Sequence, residues 1–180
     1  GGIITVAGGF YNPLTSFTPS GGRVELCGST DGSIYMIDGS YFYDLYINKT
    51  SSAKSADTNT QEYATARDGS QHPVTRTNSI ILASALEVHR NLQITAGTLT
   101  TQNNYITVYG YWTNLAGAAS FEENSGIVIF GGSSTETGVT TDETFFSLVV
   151  SNSAADYNNF KIFANKTINV TADLTVIDGT

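Results

Sequence analysis

Residues 86–114 read LEVHRNLQITAGTLTTQNNYITVYGYWTN, and both ends of the chain are partial copies of this stretch. The last thirteen residues, INVTADLTVIDGT, repeat its first half, so that Leu92 corresponds to Leu174 at an offset of 82. The first twelve residues, GGIITVAGGFYN, repeat its second half, so that Ile106 corresponds to Ile4 at an offset of 102. Because self-similarity at a fixed spacing indicates stacked structural units, we expect a repeat protein that starts and stops inside a repeat.

Apolar and polar residues alternate along the strands of this stretch. Leu86 and Val88 point one way, and so do Leu92 and Ile94 further along, while the residues between the members of each pair are polar. A period of two is typical of half-buried β-strands. Gly, Asn, Asp or Ser residues, which favour turns, separate these short runs. The sequence therefore predicts an all-β protein with short strands and no helix of useful length.

Two architectures fit a repeat of short strands. A β-sandwich cut in the middle of a repeat would lose partner strands, whereas a β-solenoid cut anywhere keeps most of its rungs. We therefore expect a single domain over residues 1–180, a right-handed parallel β-helix (β-solenoid) of roughly 8–9 short rungs. It would contain about 1.75 copies of a repeat of about 82 residues. Repeats of a β-sandwich are the alternative.

Residues 51–73, SSAKSADTNTQEYATARDGSQHP, interrupt the first copy of the repeat and have no counterpart in the second. The segment is polar and has almost no apolar periodicity. Two interpretations stay open. It is either a long solvated inserted loop or an arm that protrudes to contact a partner or a neighbouring copy.

Composition and charge exclude several classes of function. With a net charge of −8 and eight scattered Lys and Arg residues, the chain has no basic patch for nucleic acid. A single cysteine, Cys27, excludes an intrachain disulfide, and His72 and His89 form no zinc-like cluster with it. No apolar run approaches the roughly 18–20 residues of a membrane span. Ten Tyr and nine Phe with only 13% charged residues are typical of β-rich extracellular proteins.

Four segments resemble the repeat regions of large secreted surface proteins of Bacteroidetes-type bacteria, which repeat phrases of the form NLTIxxGTL, LTVxGNWTN, GTVxFxG and FxNLxINKS. The segments are NLQITAGTL (91–99), ITVYGYWTN (106–114), SFEENSGIVIFGG (120–132) and YFYDLYINKTSS (41–52). The resemblance implies β-helical modules, extracellular or at the cell surface, that serve as stalks, adhesins or fibres and carry no catalytic residues. The chain departs from the family phrases in its insert and at Tyr111, where Asn is usual.

The two ends of the chain are candidate assembly sites, with Ile4 and Val6 at one end and Leu174 and Val176 at the other. Joined head to tail, LTVIDGT and GGIITV would rebuild the central stretch with only about three to four residues missing. The chain is then either a window of a long tandem array or a subunit whose unpaired edge strands complete each other. The predicted partners are copies of itself or adjacent repeats, and the predicted function is a structural segment of a surface fibre, stalk or adhesin.

A carbohydrate-binding module is the alternative function, because tyrosines crowd one region of the first copy. The candidate residues for contact with surface glycans are Tyr35, Tyr41, Tyr43, Tyr46 and Trp112. We expect most of these rings to form stacking ladders along the solenoid. Trp112, whose counterpart is Phe10, is expected to be a core or rim aromatic.

Enzymatic, metal and modification sites have weaker support in the sequence. Polysaccharide-degrading β-helices need two carboxylates facing one cleft, but the acidic residues here are dispersed, and we expect neither catalytic residues nor an organic cofactor. Turn carboxylates such as Asp142 and Glu143 leave a weak calcium hypothesis open. Sequons at Asn48, Asn165 and Asn169 can be glycosylated where the source modifies such sites.

Overall fold

A computed structural model describes residues 1–50, 63–65, 71–73, 78–132, 136–152 and 160–178. These residues form 21 β-strands and a single-turn 3₁₀ helix (Ala118–Ser120). The strands in chain order are β1 (Ile3–Ala7), β2 (Phe10–Asn12), β3 (Arg23–Cys27), β4 (Gly32–Met36), β5 (Asp44–Asn48), β6 (Tyr63–Thr65), β7 (Gln71–Pro73), β8 (Ser79–Leu82), β9 (Leu86–Val88), β10 (Leu92–Ala96), β11 (Thr98–Thr100), β12 (Tyr105–Val108), β13 (Tyr111–Asn114), β14 (Phe121–Glu122), β15 (Ile127–Gly132), β16 (Thr137–Val139), β17 (Glu143–Phe145), β18 (Ser147–Asn152), β19 (Phe160–Ile162), β20 (Ile168–Val170) and β21 (Leu174–Asp178).

Three faces, here called sides A, B and C, follow one another in each turn of the chain. Side A consists of β1, β3, β5, β10, β13, β16 and β19, stacked in that order. Side B consists of β2, β4, β8, β11 and β14, followed by the pair β17 and β20. Side C consists of β9, β12, β15, β18 and β21, and segments around Phe17 and Phe42 occupy it in the first two turns. All of these strands pair in parallel, so the predicted β-solenoid is confirmed.

Side A stacks seven strands across six strand spacings, so the solenoid has six to seven turns, close to the eight or nine predicted. Hydrogen bonds between adjacent turns link residues 20 to 22 positions apart in the middle of the chain, as from Tyr111 to Asn91. Later corners are longer, since Asn114 bonds to Thr141, 27 positions away. Residues 51–73 lie between β5 on side A and β8 on side B, which are consecutive sides of the solenoid. The insert therefore lengthens one turn and adds no further turn. The right-handed sense of winding stays a prediction.

The core is a set of columns in which inward-pointing side chains of successive turns lie on top of one another. One column on side A runs through Ile4, Val24, Leu45, Leu92, Trp112, Val139 and Ile162. Its middle members are fully buried, as are Leu86, Val88 and Ile94 from the alternation in the sequence. Burial of apolar surface stabilises a fold by about 25 cal/mol per Å². Each turn therefore depends on the turns on both of its sides.

Among the described residues, two ionisable side chains, Lys49 and Glu143, are buried inside the solenoid. The Lys49 Nζ donates to the carbonyl oxygen of Cys27 at 2.7 Å, and desolvation lowers the Lys49 pKa below its ordinary value. The Glu143 Oε2 accepts hydrogen bonds from the Trp112 Nε1 at 2.7 Å and the Asn114 Nδ2 at 2.9 Å. Desolvation raises the pKa of Glu143, although these hydrogen bonds oppose the shift. A charge inside a protein is tolerated when it is hydrogen-bonded in this way.

The sequence repeat does not return to the same side of the solenoid. Ile4 lies on side A in β1, whereas its counterpart Ile106 lies on side C in β12. Likewise Leu92 lies on side A in β10, and its counterpart Leu174 lies on side C in β21. Each copy of the repeat therefore spans eleven consecutive sides, or three and two-thirds turns. The two copies are rotated by one side relative to each other.

The insert contains regular structure that the sequence analysis did not predict. Within residues 51–73, β6 pairs with β7 as a two-stranded antiparallel sheet, the only antiparallel pair among the described strands. The other residues of the insert lie outside the described part of the chain. Since β5 lies on side A and β8 on side B, the insert leaves the solenoid at the corner between these sides.

Candidate functional site

The first turn presents a strand edge and apolar side chains at one end of the solenoid. In β1, Ile4 lies opposite Val24 and Val6 opposite Leu26, so both β1 side chains belong to inward columns. Ile4 is nevertheless 50% exposed, whereas Val24 is buried. Among the described strands, β1 pairs only with β3, and β2 pairs only with β4. Within the described residues, one edge of each of these two strands has no partner strand.

The last turn presents the complementary edge at the opposite end. In β21, Leu174 lies opposite Leu148 and Val176 opposite Val150, again in inward columns. Leu174 is 60% exposed and Val176 is 68% exposed. In the described part of the chain, β19, β20 and β21 each have a partner on one side only. The four residues predicted as assembly sites thus lie in two groups, one at each end of the solenoid.

The charges of the end turns do not oppose contact between copies. Residues 1–22 contain no Asp, Glu, Lys or Arg, although the whole chain has a net charge of −8. Residues 160–178 contain two Lys and two Asp, a net charge of zero. Natural edge strands commonly carry charges or prolines that block pairing with another chain. Strands β1, β2 and β20 have neither.

A second candidate site is a groove of about 620 Å³ along the corner where side C turns into side A. The residues that line it precede or begin the side-A strands of four successive turns. They are Tyr43, His89, Arg90, Asn91, Tyr109, Gly110, Tyr111 and Glu136. Because the same corner recurs in every turn, residues distant in sequence form one continuous surface. Its aromatic rings and polar groups together match the chemistry of a sugar, which has apolar faces and hydroxyl edges.

Contacts within this groove fix several of its side chains. The His89 ring stacks on Tyr41 with centroids 3.4 Å apart, and its Nε2 lies 2.7 Å from the Glu87 Oε1. The Tyr111 hydroxyl donates to Glu136 at 2.6 Å, and Lys161 forms an ion pair with the same carboxylate. The two donors lower the pKa of Glu136, and the hydrogen bond to Glu136 raises the pKa of Tyr111. Glu136 is therefore held ionised as an acceptor.

The aromatic residues predicted as glycan contacts do not share one surface. Tyr35 stacks on Tyr11 on side B, with ring centroids 5.2 Å apart. Tyr46 lies under the Arg23 guanidinium on side A. Trp112 is fully buried in the core, which removes it from the glycan-contact set. Of the predicted residues, the groove contains Tyr43, while Tyr41 supports it through the stacked His89.

The pair of carboxylates considered for calcium diverges in the structure. The Asp142 side chain is exposed, where its Oδ1 accepts from the Thr167 backbone amide and its Oδ2 lies 3.4 Å from the Lys166 Nζ. Hydrogen bonding to Thr167 lowers the pKa of Asp142. The Glu143 carboxylate points into the core and is bonded to Trp112. Within the described residues, no three His, Cys, Asp or Glu side chains are grouped to hold a metal ion.

The three sequons differ in accessibility. The Asn48 side chain is half-buried in β5 and its Nδ2 donates to the Glu25 Oε1 at 3.0 Å, so a glycan would displace this contact. Asn165 and Asn169 are exposed in the last turn. Only the latter two have side chains positioned for modification without rearrangement.

Several groove residues were not identified from the sequence, namely His89, Arg90, Tyr109 and Glu136. They belong to separate segments, HRN at 89–91, YGY at 109–111 and the residue before β16. The signal that could have found them is the spacing of one turn, since Tyr111 bonds to Asn91 across 20 positions. Residues one turn apart at a corner lie side by side in a solenoid.

No protein-family model, curated protein or solved structure matches this chain. In the part of the chain that the structure describes, no helix is long and apolar enough to cross a membrane.

Proposed function

We propose that this chain is a structural segment of an extracellular or cell-surface fibre, stalk or adhesin, extended head to tail by copies of itself. The proposal follows the resemblance of its repeat phrases to those of secreted surface proteins. A solenoid suits this function because stacking adds length at about 4.8 Å per turn without changing the cross-section. A contact between unlike ends that does not close into a ring generates an open filament.

One observation supports the proposal most directly. At each end of the described solenoid, a strand edge without a partner lies beside exposed side chains of the inward columns. Leu174 and Val176 occupy positions that are buried in the interior turns, and so does Ile4 at the other end. Apolar side chains exposed beside an unpaired, uncharged edge favour association through parallel strand pairing. Head-to-tail contact would bury both groups at once.

The test is self-association of the purified chain, followed by light scattering at rising concentration and by electron microscopy. We expect filaments, and we expect Val176→Lys to abolish them because the lysine would place a charge between stacked turns. Thr175→Lys is the matched control, since Thr175 lies on the same strand and points outward. A chain that stays monomeric at high concentration, or an equal effect of the two substitutions, would refute the proposal.

Glycan binding in the corner groove is a second candidate function, favoured by the grouping of three tyrosines with Arg90 and Glu136. Aromatic faces stack on sugar rings, and the charged groups can bond to hydroxyls. On a glycan array, we expect Tyr43→Ala and Tyr111→Ala to reduce binding at least tenfold. Tyr35→Ala, on side B, is the control and should leave binding unchanged. The absence of binding by the unaltered chain would exclude this candidate.

A further inference from the structure

We infer that a second copy of this chain docks on the last turn after a rotation of one side, about 120°, so that β1 pairs with β20 and β2 pairs with β21. This inference rests on the head-to-tail assembly proposed above and specifies its register. The register is taken from the interior of the molecule, where strands with the same sequence pattern stack on one another within a single chain.

The interior turns provide the template for the junction. There, β12 lies on β9 with Ile106 opposite Leu86, and β13 lies on β10 with Trp112 opposite Leu92. In the sequence repeat, β20 and β21 are copies of β9 and β10, and β1 and β2 are copies of β12 and β13. Transferring the two ladders to the ends gives the register of the docked pair.

The resulting register places apolar residues opposite each other. In β1 and β20, Ile4 falls opposite Ile168 and Val6 opposite Val170. In β2 and β21, Phe10 falls opposite Leu174. Phe10 is half-buried in the isolated chain, packed against Phe17 and Phe42 with ring centroids about 5 Å apart. Docking would complete its burial, as Trp112 is buried over Leu92 in the interior.

The rotation follows from the sides on which these strands lie. Strand β1 is on side A and β20 is on side B, so pairing them turns the second copy by one of three sides. Straight stacking would instead place β1 on β19, with Ile4 opposite Ile162. In the interior, however, the counterpart of β19 is β8, and β8 is covered by β11. No copy of β12 covers that position in the template.

The rotated contact also leaves a defined seam. In the interior, β11 lies on β8, the counterpart of β19, and no described strand of the second copy takes that position on β19. The free edge of β19 then stays unpaired, while those of β20 and β21 are covered. Neutral end turns make this contact possible despite the net charge of −8. Each copy would advance the filament by about 35 Å, seven and one-third strand spacings of ~4.8 Å.

Disulfide trapping tests the register directly. Opposed residues on neighbouring strands are about 4.8 Å apart, within the range that a disulfide bridges. In a Cys27→Ser background, we would oxidise the double variant Ile4→Cys/Ile168→Cys and the matched variant Ile4→Cys/Ile162→Cys. About six strand spacings, or roughly 29 Å, separate the two ends of one chain, so any bond joins two copies. Non-reducing electrophoresis and the filament's helical symmetry provide the two measurements.

The outcomes separate the register from the assembly itself. A ladder of covalent oligomers from the 4/168 pair alone, with a rotation near 120° per copy, supports the inference. A ladder from the 4/162 pair, with no rotation, overturns the register and leaves head-to-tail assembly intact. Filaments without either ladder also overturn the register. Monomers in both variants and in the unaltered chain overturn both the inference and the proposed function.

Discussion

Two segments of the chain share one sequence pattern but differ in burial. The first contains β9 and β10 in the interior, and the second contains β20 and β21 at the end of the solenoid. Leu92 in β10 is fully buried, whereas its counterpart Leu174 in β21 is 60% exposed. Leu86 in β9 is 1% exposed, whereas its counterpart Ile168 in β20 is only half-buried. The interior turn has neighbours on both sides and the end turn has one. Corresponding residues of the repeat therefore stabilise the interior far more than they stabilise the end.

The largest effect is expected from Trp112→Ala in the interior. The Trp112 ring packs edge-on against Phe121 and Phe145, with centroids 4.7 and 5.4 Å away, and its Nε1 bonds to Glu143. Removing a buried Trp typically lowers the free energy of unfolding by about 3–5 kcal/mol. Urea denaturation measures the loss. A cost below about 1 kcal/mol would mean that the core columns contribute little to stability.

The direct test of the comparison is Leu92→Ala against Leu174→Ala. We expect the interior change to cost about 2–5 kcal/mol and the end change under about 1 kcal/mol, because Leu174 is already largely solvated. Hydrogen exchange should likewise be slower in β10 than in β21. Equal costs at concentrations where copies associate, but unequal costs in dilute solution, would show that the end is covered in the assembly.

Glu143 reports whether the last turn is in place, since Glu143 lies opposite Ile168. Its pKa is raised by burial, so the folded protein keeps this proton to a higher pH than the unfolded chain. The free energy of unfolding should therefore fall as the pH rises above about 4.5, by about 1.4 kcal/mol per unit of pKa difference. Glu143→Gln should remove this decline. Glu136→Gln is the control of opposite sign, because the pKa of Glu136 is lowered.

The smallest effect is expected outside the columns, where neighbouring turns do not determine burial. Tyr111→Phe removes one hydroxyl, which bonds to Glu136 at the surface of the groove. We expect a change in the free energy of unfolding within about 0.5 kcal/mol, as for most surface substitutions. A much larger loss in thermal denaturation would show that the Tyr111, Glu136 and Lys161 contacts hold adjacent turns together.

Much of the fold could be predicted because alternation is a local property. The inward positions Leu86, Val88, Leu92 and Ile94 were assigned from the sequence, and all are buried. The parallel solenoid followed from short strands in a repeat. The hairpin in residues 51–73 was not predicted, since polar antiparallel strands leave little apolar signal. The burial of Glu143 was also missed, because its partners Trp112 and Asn114 lie about 30 positions away.

The groove was only partly predictable for the same reason. Tyr41 and Tyr43 were singled out by their density in the sequence, but the groove also needs side chains from three later turns. Which residues meet at a corner depends on the number of residues per turn, and that number ranges from 20 to 27 outside the insert and reaches 47 in the turn that contains it. Tyr35 and Tyr46 are close to Tyr41 and Tyr43 in sequence, but they lie outside the groove on other parts of the solenoid.

The inward positions, the ends of the strands and the repetition of the units could all be read from the amino-acid pattern. Those features depend on the period of two and on turn residues, which act over a few positions. The side on which each strand lies follows only from the folded chain, because the eleven sides of one repeat are not a multiple of the three sides in a turn. The tertiary structure also decided that Leu92 is buried and Leu174 is not, since burial requires a turn on both sides.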